Sequence, residues 1–274
     1  MPTIAQALVL ARDAGIDRLD AQRLLAHRLR RPRAWLIAHD ESLLPPDVEA
    51  AWHDDLARLA DEVPLAQLLG EQEFHGLTLR IGTDVLVPRA DTEALVGWAI
   101  ERLAGHAGHA APEVIDLGTG SGAIALALAH ACPAARLTAT DASAAALALA
   151  GENAQRLGLA LDLAAGSWWQ AVPGRRFDLV VSNPPYIAAD DPHLRALRHE
   201  PALALTPGGD GLDAIRAITA GAPQHLRPGG WLLLEHGWDQ ADAVRELLHA
   251  VGLTEVDSRR DLGGRWRCSG GRRS

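Results

Sequence analysis

The sequence predicts an α/β protein, with a Rossmann-like, doubly wound and mostly parallel sheet that follows a small N-terminal helical domain. Two observations predict this class. In the later part of the chain, the strand patterns EVIDL, RLTATD, FDLVVS and WLLLE alternate with helical stretches, which is typical of parallel βαβ units. In the first part, apolar residues recur at helical spacing. Because ligands of such sheets bind beyond the carboxyl ends of the strands, the residues after each strand are the candidates for a site.

Length and composition are those of an ordinary globular protein. The 274 residues suffice for one large and one small domain, and 48% are hydrophobic and 22% charged. No apolar run reaches the ~18 residues that a membrane span needs, and the N-terminus lacks the pattern of a secretory signal. The two cysteines, Cys132 and Cys268, form no metal-type pair, and the histidines lack metal-type spacing. We therefore expect a cytoplasmic protein without a metal site.

The net charge of −9 weighs against a protein whose main task is to grip nucleic acid, because phosphate contacts usually require a basic surface. The chain contains no lysine, so every basic side chain is arginine or histidine. A local arginine patch could still bind phosphate. On balance, we expect neither a nucleic-acid partner nor a membrane partner.

Three segments are predicted along the chain. Residues 1–70 form the helical domain, in which one helix begins near Pro46. Residues 71–88 alternate apolar and polar side chains and contain Gly76, which predicts a β-hairpin linker. Residues 89–274 form the α/β domain, which contains the motifs described below.

The first helix of this last domain is expected to begin near Asp91, with Asp91 or Thr92 as its N-cap. Glu93 then lies in the first turn, where a carboxylate suits the helix dipole. Arg89 fits a structural role and a substrate-side role equally well. The sequence does not decide between them.

A glycine-rich turn follows the strand EVIDL and opens a helix, and it reads Asp116-Leu117-Gly118-Thr119-Gly120-Ser121-Gly122. Its glycines permit a tight turn and a close approach of ligand to backbone. Asp141 ends the next strand about 20 residues on, as a ribose-binding carboxylate should. Both dinucleotide enzymes and methyltransferases use such a turn, although the spacing here is G-x-G-x-G. Asp116 can cap neighbouring amides and can also face the ligand, and the two roles are compatible.

The most informative stretch follows the strand FDLVV and reads Ser182-Asn183-Pro184-Pro185-Tyr186. Two prolines fix the backbone and remove two donors, so the loop presents rigid carbonyl oxygens. The side chain of Asn183 adds another acceptor, and two acceptors at fixed spacing bind both hydrogens of one –NH2 group. Tyr186 offers a flat face on which a planar amide or a base stacks.

This loop suits methyl transfer to a planar nitrogen. An amide nitrogen is a poor nucleophile because its lone pair is delocalised into the carbonyl group. Holding both N–H bonds aims the nitrogen at a methyl donor, and such positioning is worth ~7–11 kcal/mol in favourable cases. Asn183, Pro184 and Tyr186 are therefore the candidate catalytic residues, and with Pro185 they form the candidate substrate site.

DLGTGSG at 116–122 together with NPPY at 183–186 resembles class I methyltransferases that act on planar nitrogens. Within that class, the chain resembles the release-factor glutamine N5-methyltransferases nearly end to end. The resemblance includes EFHG at 73–76, LLLEHG at 232–237 and VPRADTE at 87–93, which is close to that family's usual IPRPDTE. VPRADTE discriminates better than NPPY, which adenine methyltransferases share.

The resemblance implies S-adenosylmethionine as the methyl donor and, as acceptor, the glutamine of a Gly-Gly-Gln motif in peptide chain release factors. It implies that the turn from Leu117 to Ser121 holds the methionine moiety, that Asp141 binds the ribose and that Trp168 packs near the adenine. The family's usual aspartate before this tryptophan is replaced here by Ser167. The helical domain would help to dock the release factor.

The resemblance also implies that Asn183 and the Pro184 carbonyl hold the substrate amide, with Tyr186 packed against it. Asn183 is expected to border the cofactor as well. Glu200 and His236 receive no assigned role, although a structural hydrogen bond is favoured for His236.

Two other functions stay open. An adenine methyltransferase would stack the base on Tyr186, but it would also need a basic channel and a way to extrude the base. A non-catalytic binding protein could keep the same fold, but the glycine turn, Asp141 and Asn183 are all intact. Hydride transfer is disfavoured by the glycine spacing.

Overall fold

The computed structural model describes residues 1–105 and 111–274. They fall into two compact units, Met1–Glu71 and Gln72–Ser274. The first unit is built from helices, which are α1 (Ile4–Asp13), α2 (Arg18–Leu29), α3 (Arg33–Ala38), α4 (Pro46–Ala60) and α5 (Leu65–Leu69). Helix α4 begins at the proline where a helix start was predicted, because proline is preorganised for the first helical turn.

Inside the first unit, buried apolar side chains are joined by a few directed polar contacts. The indole of Trp52, 1% exposed, donates to the carbonyl of Ala7 at 3.2 Å. Thr3 and Gln6 form a reciprocal cap at the start of α1. Arg28 donates twice, at 2.6 Å, to the buried carboxylate of Asp55. These contacts join α1, α2 and α4.

The remaining elements alternate between strands and helices. The strands are β1 (Glu71–Phe74), β2 (Leu77–Arg80), β3 (Glu113–Leu117), β4 (Arg136–Asp141), β5 (Asp162–Ala165), β6 (Phe177–Ser182), β7 (Leu226–Glu235), β8 (Thr254–Arg260) and β9 (Trp266–Arg272). The helices are α6 (Glu93–Ala104), α7 (Ala123–Ala131), α8 (Ala144–Leu157), α9 (Ala202–Leu205), α10 (Asp213–His225) and α11 (Ala241–Ala250).

The second unit contains a seven-stranded sheet in the order β5-β4-β3-β6-β7-β9-β8. The first five of these strands pair in parallel, whereas β9 pairs antiparallel with β7 and β8. The chain proceeds outward from β3 to β5 and then returns to the other side of β3. This reversal places a topological switch point between β3 and β6, where open α/β sheets bind their ligands. The predicted fold class is confirmed.

The strands of the predicted hairpin are shorter than the segment 71–88. β1 and β2 enclose a two-residue turn, His75–Gly76, in which both residues have positive φ, 49° and 77°. Such a turn matches the twist of a hairpin. Within the second unit, β2 is joined to α8, because Asn153 accepts from the Arg80 amide at 2.7 Å and donates to its carbonyl at 3.1 Å. Residues 81–88 contain no strand.

Thr92, one of the two residues predicted as the N-cap of α6, lies at that position, but no side chain caps the helix. A short 3-10 turn, Ala90–Thr92, precedes the helix, and the Thr92 side chain makes no cap hydrogen bond. Its hydroxyl accepts from the Asn183 side chain at 3.2 Å, and Asp91 pairs with Arg267 at 3.1 Å. Tertiary contacts therefore use the side chains of Asp91 and Thr92, which the local sequence favours as helix caps.

Candidate active site

The glycine turn begins where β3 ends. The amides of Gly118 and Thr119 both donate to the carbonyl of Thr140 at 2.8 Å, which fastens the turn to β4. Gly118 and Gly120 have φ of 73° and 56°, a conformation that glycine adopts without steric cost. A Cβ at Gly120 would meet nothing within 4 Å, so this backbone is open to a ligand.

Asp141 at the end of β4 is joined directly to this turn. One carboxylate oxygen accepts from the Gly120 amide and the other from the Ser143 amide, both at 2.9 Å. Each oxygen keeps a lone pair for a further donor. The structure therefore brings the predicted ribose-binding carboxylate to the predicted cofactor turn.

Asp116 is a buried carboxyl group beneath the turn. Its Oδ2 accepts from the Thr119 hydroxyl at 2.7 Å, whereas its Oδ1 has no hydrogen-bond partner among the described residues. Burial raises the pKa of Asp116 to about 7, although the Thr119 hydroxyl acts in the opposite direction. A positively charged ligand group at Oδ1 would stabilise the ionised form.

The indole of Trp168 lies against the glycine turn. A Cβ at Gly118 would lie 3.2 Å from its ring, so the indole and the glycine backbone are in close contact. Trp168 has a positive φ of 50°. Its neighbour Trp169 is anchored by an indole hydrogen bond of 3.0 Å to the Ile218 carbonyl. Ser167 is exposed.

The loop after β6 lies beside the glycine turn. β3 and β6 pair in register, with Asp116 opposite Val181, and the Ser182 hydroxyl donates to the Leu117 carbonyl at 2.6 Å. Asn183 follows at once, and its Nδ2 donates to Thr92 at 3.2 Å. This bond leaves Oδ1 of Asn183 free of the Thr92 contact. The two predicted loops therefore meet at the switch point.

Tyr186 is held at both ends. Its hydroxyl donates to Oε1 of Glu235 at 3.2 Å, and its carbonyl accepts from Gln240 at 3.0 Å. Gly211 approaches so closely that a Cβ there would lie 2.4 Å from the Tyr186 carbonyl oxygen. Burial, and then the charge of Glu235, raise the pKa of Tyr186, so the phenol stays protonated and acts as a donor.

A cleft of about 400 Å³ opens over this loop, and Asn183, Pro184 and Tyr186 line it together with apolar side chains such as Leu86, Ile187 and Leu205. A larger cleft of about 730 Å³ lies at the opposite end of the strands, beside Asp178 and Trp231. It contains none of the predicted site residues. Position at the carboxyl ends of the strands favours the smaller cleft as the substrate site.

Arg89 lines the smaller cleft, and Glu200 is its buried partner. They make an ion pair in which the carboxylate is buried, and Glu200 also accepts from the Val87 amide at 2.9 Å. This pair ties the segment before α6 to the loop before α9. Glu93 accepts from the amide of His75 at 3.2 Å, which is a structural contact.

His236 is fully buried, and both ring nitrogens have partners, namely the Gly237 carbonyl at 2.8 Å and the Ser269 hydroxyl at 2.7 Å. Burial lowers its pKa, which favours the neutral ring. In the described ranges, no group of three or more His, Cys, Asp or Glu side chains could hold a metal ion. Nor does any helix in that part of the chain have the length and apolar character to cross a membrane.

Three residues of the site were missed by sequence reasoning. Thr92 was interpreted as a helix cap and Glu235 was quoted only inside LLLEHG, yet they contact Asn183 and Tyr186. Asn153 donates to the Ser121 carbonyl at 2.9 Å and so fastens the glycine turn to α8. The signal for the first two was the pair of motifs that contain them, VPRADTE and LLLEHG.

The doubly wound sheet and the two loops at its switch point define a class I methyltransferase, the class that uses S-adenosylmethionine. The residues present fit this cofactor. The open backbone at Gly120 admits a ligand, and the unpartnered oxygen of Asp116 suits a cationic group. A family model described as Methyltransferase small domain matches residues 100–212, and one described as PrmC N-terminal domain matches residues 4–70.

Comparison with known proteins identifies the family within this class. The chain is 54% identical to the release factor glutamine methyltransferase of Bordetella pertussis, over 96% of this chain and 97% of that protein. It is 50% identical to the protein of the same name from Xylella fastidiosa, over 97% of both. The chain belongs to the release factor glutamine methyltransferase family. The human Mettl16 catalytic domain, solved with an RNA hairpin, shares the fold, with a TM-score of 0.59, 18% identity and 80% of each chain covered.

Proposed function

We propose that this protein methylates the side-chain amide nitrogen of the glutamine in the Gly-Gly-Gln motif of peptide chain release factors, with S-adenosylmethionine as donor. The observation that carries the proposal is the orientation of Asn183. Its –NH2 group is bound to Thr92, so its carbonyl oxygen is left for a substrate donor. The names of the relatives support a release-factor glutamine as that substrate.

Three parts of the site would each hold a different part of the cofactor. Leu117, Gly118, Thr119, Gly120 and Ser121 would hold its methionine moiety against the helix that follows. Asp141 would accept the ribose hydroxyls with the lone pairs that its two backbone contacts leave free. Trp168 would pack near the adenine, and the exposed Ser167 would leave that edge without the family's usual carboxylate.

In the substrate site, the Oδ1 of Asn183 and the carbonyl of Pro184 would each accept one hydrogen of the glutamine –NH2 group. Pro185 keeps the loop rigid, and Tyr186 would pack against the planar amide. The cofactor supplies an electrophilic methyl group on a sulfonium centre. Fixing the nitrogen in line with that methyl group is a positional contribution, which reaches ~7–11 kcal/mol in favourable systems.

A release factor is far too large to enter a cleft of about 400 Å³ as a whole. The helical unit would therefore help to dock it. A substrate of the translation apparatus would place the activity in the cytoplasm. A direct nucleic-acid partner is not part of the proposal, because the net charge is −9.

The test is methyl transfer from labelled S-adenosylmethionine, offered in parallel to a purified bacterial release factor, to DNA and to RNA. Label on the release factor is the expected result. Label on nucleic acid alone would overturn the proposal, and it would transfer the function to an adenine amino group stacked on Tyr186.

A further inference from the structure

A buried carboxylate lies behind the substrate loop. Glu235 ends β7 and is 1% exposed. Its Oε1 accepts from the Tyr186 hydroxyl at 3.2 Å, and its Oε2 has no hydrogen-bond partner in the part of the chain that the structure describes. Burying an ionised carboxylate costs free energy unless hydrogen bonds or nearby charges compensate for the lost water.

Thr92 is a buried side chain that contacts Asn183. It is 4% exposed, its Oγ1 accepts from Nδ2 of Asn183 at 3.2 Å, and its hydroxyl stabilises the carboxylate form of Glu235. A threonine hydroxyl has one hydrogen to donate and lone pairs with which to accept. The three side chains can therefore form a directed relay.

Charge sets the direction of that relay. In such a relay an ionised Glu235 only accepts hydrogen bonds, so the single hydrogen of Thr92 would be directed towards the carboxylate. Thr92 can then only accept from Asn183, which must present its –NH2 group to Thr92. Its Oδ1 consequently faces the cleft, where a substrate –NH2 group needs an acceptor. A neutral group at position 235 would permit the opposite direction.

We propose that Glu235 is a positioning residue for methyl transfer, which orients the Asn183 amide through the Thr92 hydroxyl and fixes the Tyr186 ring through the phenol. This inference rests on the proposed function of the Asn183 loop. Glu235 contacts neither cofactor nor substrate in this account. It acts by selecting one of the two orientations that an asparagine amide can adopt.

The surroundings determine when Glu235 is ionised. Burial raises its pKa to about 7, while the Thr92 hydroxyl and the guanidinium of Arg267 oppose that effect, and Asp91 adds to it. Tyr186 faces the same carboxylate as a protonated phenol, and Cys268 on the paired strand β9 is held as a neutral thiol by burial. Above about pH 7 the relay therefore has its acceptor.

The test compares Glu235→Gln, Thr92→Val and the double variant with the wild-type protein, at a pH about one unit above the pKa of Glu235. Glu246→Gln is the matched control, because it makes the same chemical change on an exposed face of α11. The readouts are kcat and KM for the release factor, cofactor affinity by calorimetry, and the melting temperature. Thr92→Ser tests rescue by a side chain that keeps the hydroxyl.

We expect Glu235→Gln and Thr92→Val each to lower kcat by about tenfold or more, because the acceptor at Asn183 is no longer fixed in direction. Cofactor affinity should stay within about twofold, since the glycine turn is untouched. The double variant should be little slower than either single variant, as expected of residues in one network. Thr92→Ser should restore most of the kcat that Thr92→Val loses, and Glu246→Gln should retain wild-type kcat.

Two results would overturn the inference. One is a Glu235→Gln enzyme whose kcat lies within about twofold of the wild type, and the other is multiplication of the two single losses in the double variant. Wild-type turnover on the release factor tests the proposed function separately. An inactive wild type would overturn both claims, whereas normal turnover with an unaffected Glu235→Gln would overturn this one alone.

Discussion

At the scale of single residues, Asn183 carries the largest chemical consequence. Asn183→Ala removes the side-chain acceptor but leaves the glycine turn intact. We expect methyl transfer to fall on the order of a hundredfold, as for loss of one positioned polar contact in a transition state. Cofactor affinity, measured by calorimetry, should be retained. If turnover barely changes, the amide clamp is wrong.

Asp141 lies on the cofactor side of the site, so its replacement is expected to affect cofactor binding. Asp141→Ala should weaken cofactor binding by about tenfold or more, since it removes a charged acceptor and leaves the Gly120 amide without its partner. Asp162→Ala, at the exposed start of β5, is the control and should bind normally. Calorimetry that finds equal affinities for both variants would remove Asp141 from the ribose site.

Glu235 also predicts a pH dependence of stability. Its pKa rises from 4.5 to about 7 on folding, so the native state binds a proton more tightly and the free energy of unfolding falls as pH rises between those values. Glu235→Gln removes this pH-dependent loss of stability, because glutamine does not ionise. Relative to wild type, the variant should gain up to about 3 kcal/mol between about pH 4 and pH 8. Denaturant titrations that show a pH-independent difference would contradict it.

Local sequence misjudged Thr92 for a physical reason at this same scale. A threonine before a helix is an ordinary cap, and nothing nearby in sequence indicates that its hydroxyl is used by Asn183, 91 positions later. In the same way, nothing near Glu235 in the sequence indicates that its carboxylate accepts from Tyr186. By contrast, Asn183, Pro184 and Tyr186 could be predicted as a group because they are consecutive and follow a recognisable strand.

At the scale of elements, one glycine couples a helix to the cofactor side of the sheet. Gly221 lies in α10, and a Cβ there would lie 2.1 Å from the indole of Trp169. Gly221→Ala should therefore destabilise the protein by about 1–3 kcal/mol through overpacking. It should also weaken cofactor binding, because Trp168 adjoins the displaced ring.

Gly97 provides the matched control for that prediction. It lies within α6, and a Cβ there would meet nothing within 4 Å. Gly97→Ala should raise the free energy of unfolding by about 0.5–1 kcal/mol, because alanine favours the helix. Thermal unfolding of both variants measures the effect. Equal shifts of the same sign would contradict the close contact between Gly221 and Trp169.

The elements that sequence predicted are those with strong apolar patterns. β3, β6 and β7 are nearly continuous buried runs, and α7 and α8 are rich in alanine. β5 and β8 lie at the edges of the sheet and are largely exposed, so they carry no comparable pattern. The hairpin was predicted from Gly76, but its packing on Asn153 depends on a residue 73 positions away.

At the scale of the whole molecule, the order of strands explains why two distant motifs form one site. The glycine turn and the Asn183 loop are about 60 residues apart in sequence, yet they follow the two strands that flank the switch point. The alternating pattern was enough to predict that geometry. It could not predict which polar side chains would lie behind the loop.

The substrate is the central claim at this scale. Shared fold does not decide it, since the human Mettl16 domain has the same fold and was solved with RNA. Identity of about half the residues over nearly the whole chain, and the acidic charge, favour a protein substrate. The glutamine itself must be shown directly.

The most direct measurement is mass spectrometry of the Gly-Gly-Gln peptide after reaction of the wild-type protein with a release factor and S-adenosylmethionine. We predict the mass of one added methyl group on the glutamine side chain, absent when the substrate carries Gln→Ala and strongly reduced with Asn183→Ala. A methyl group elsewhere on the release factor, or its persistence on the Gln→Ala substrate, would contradict the account.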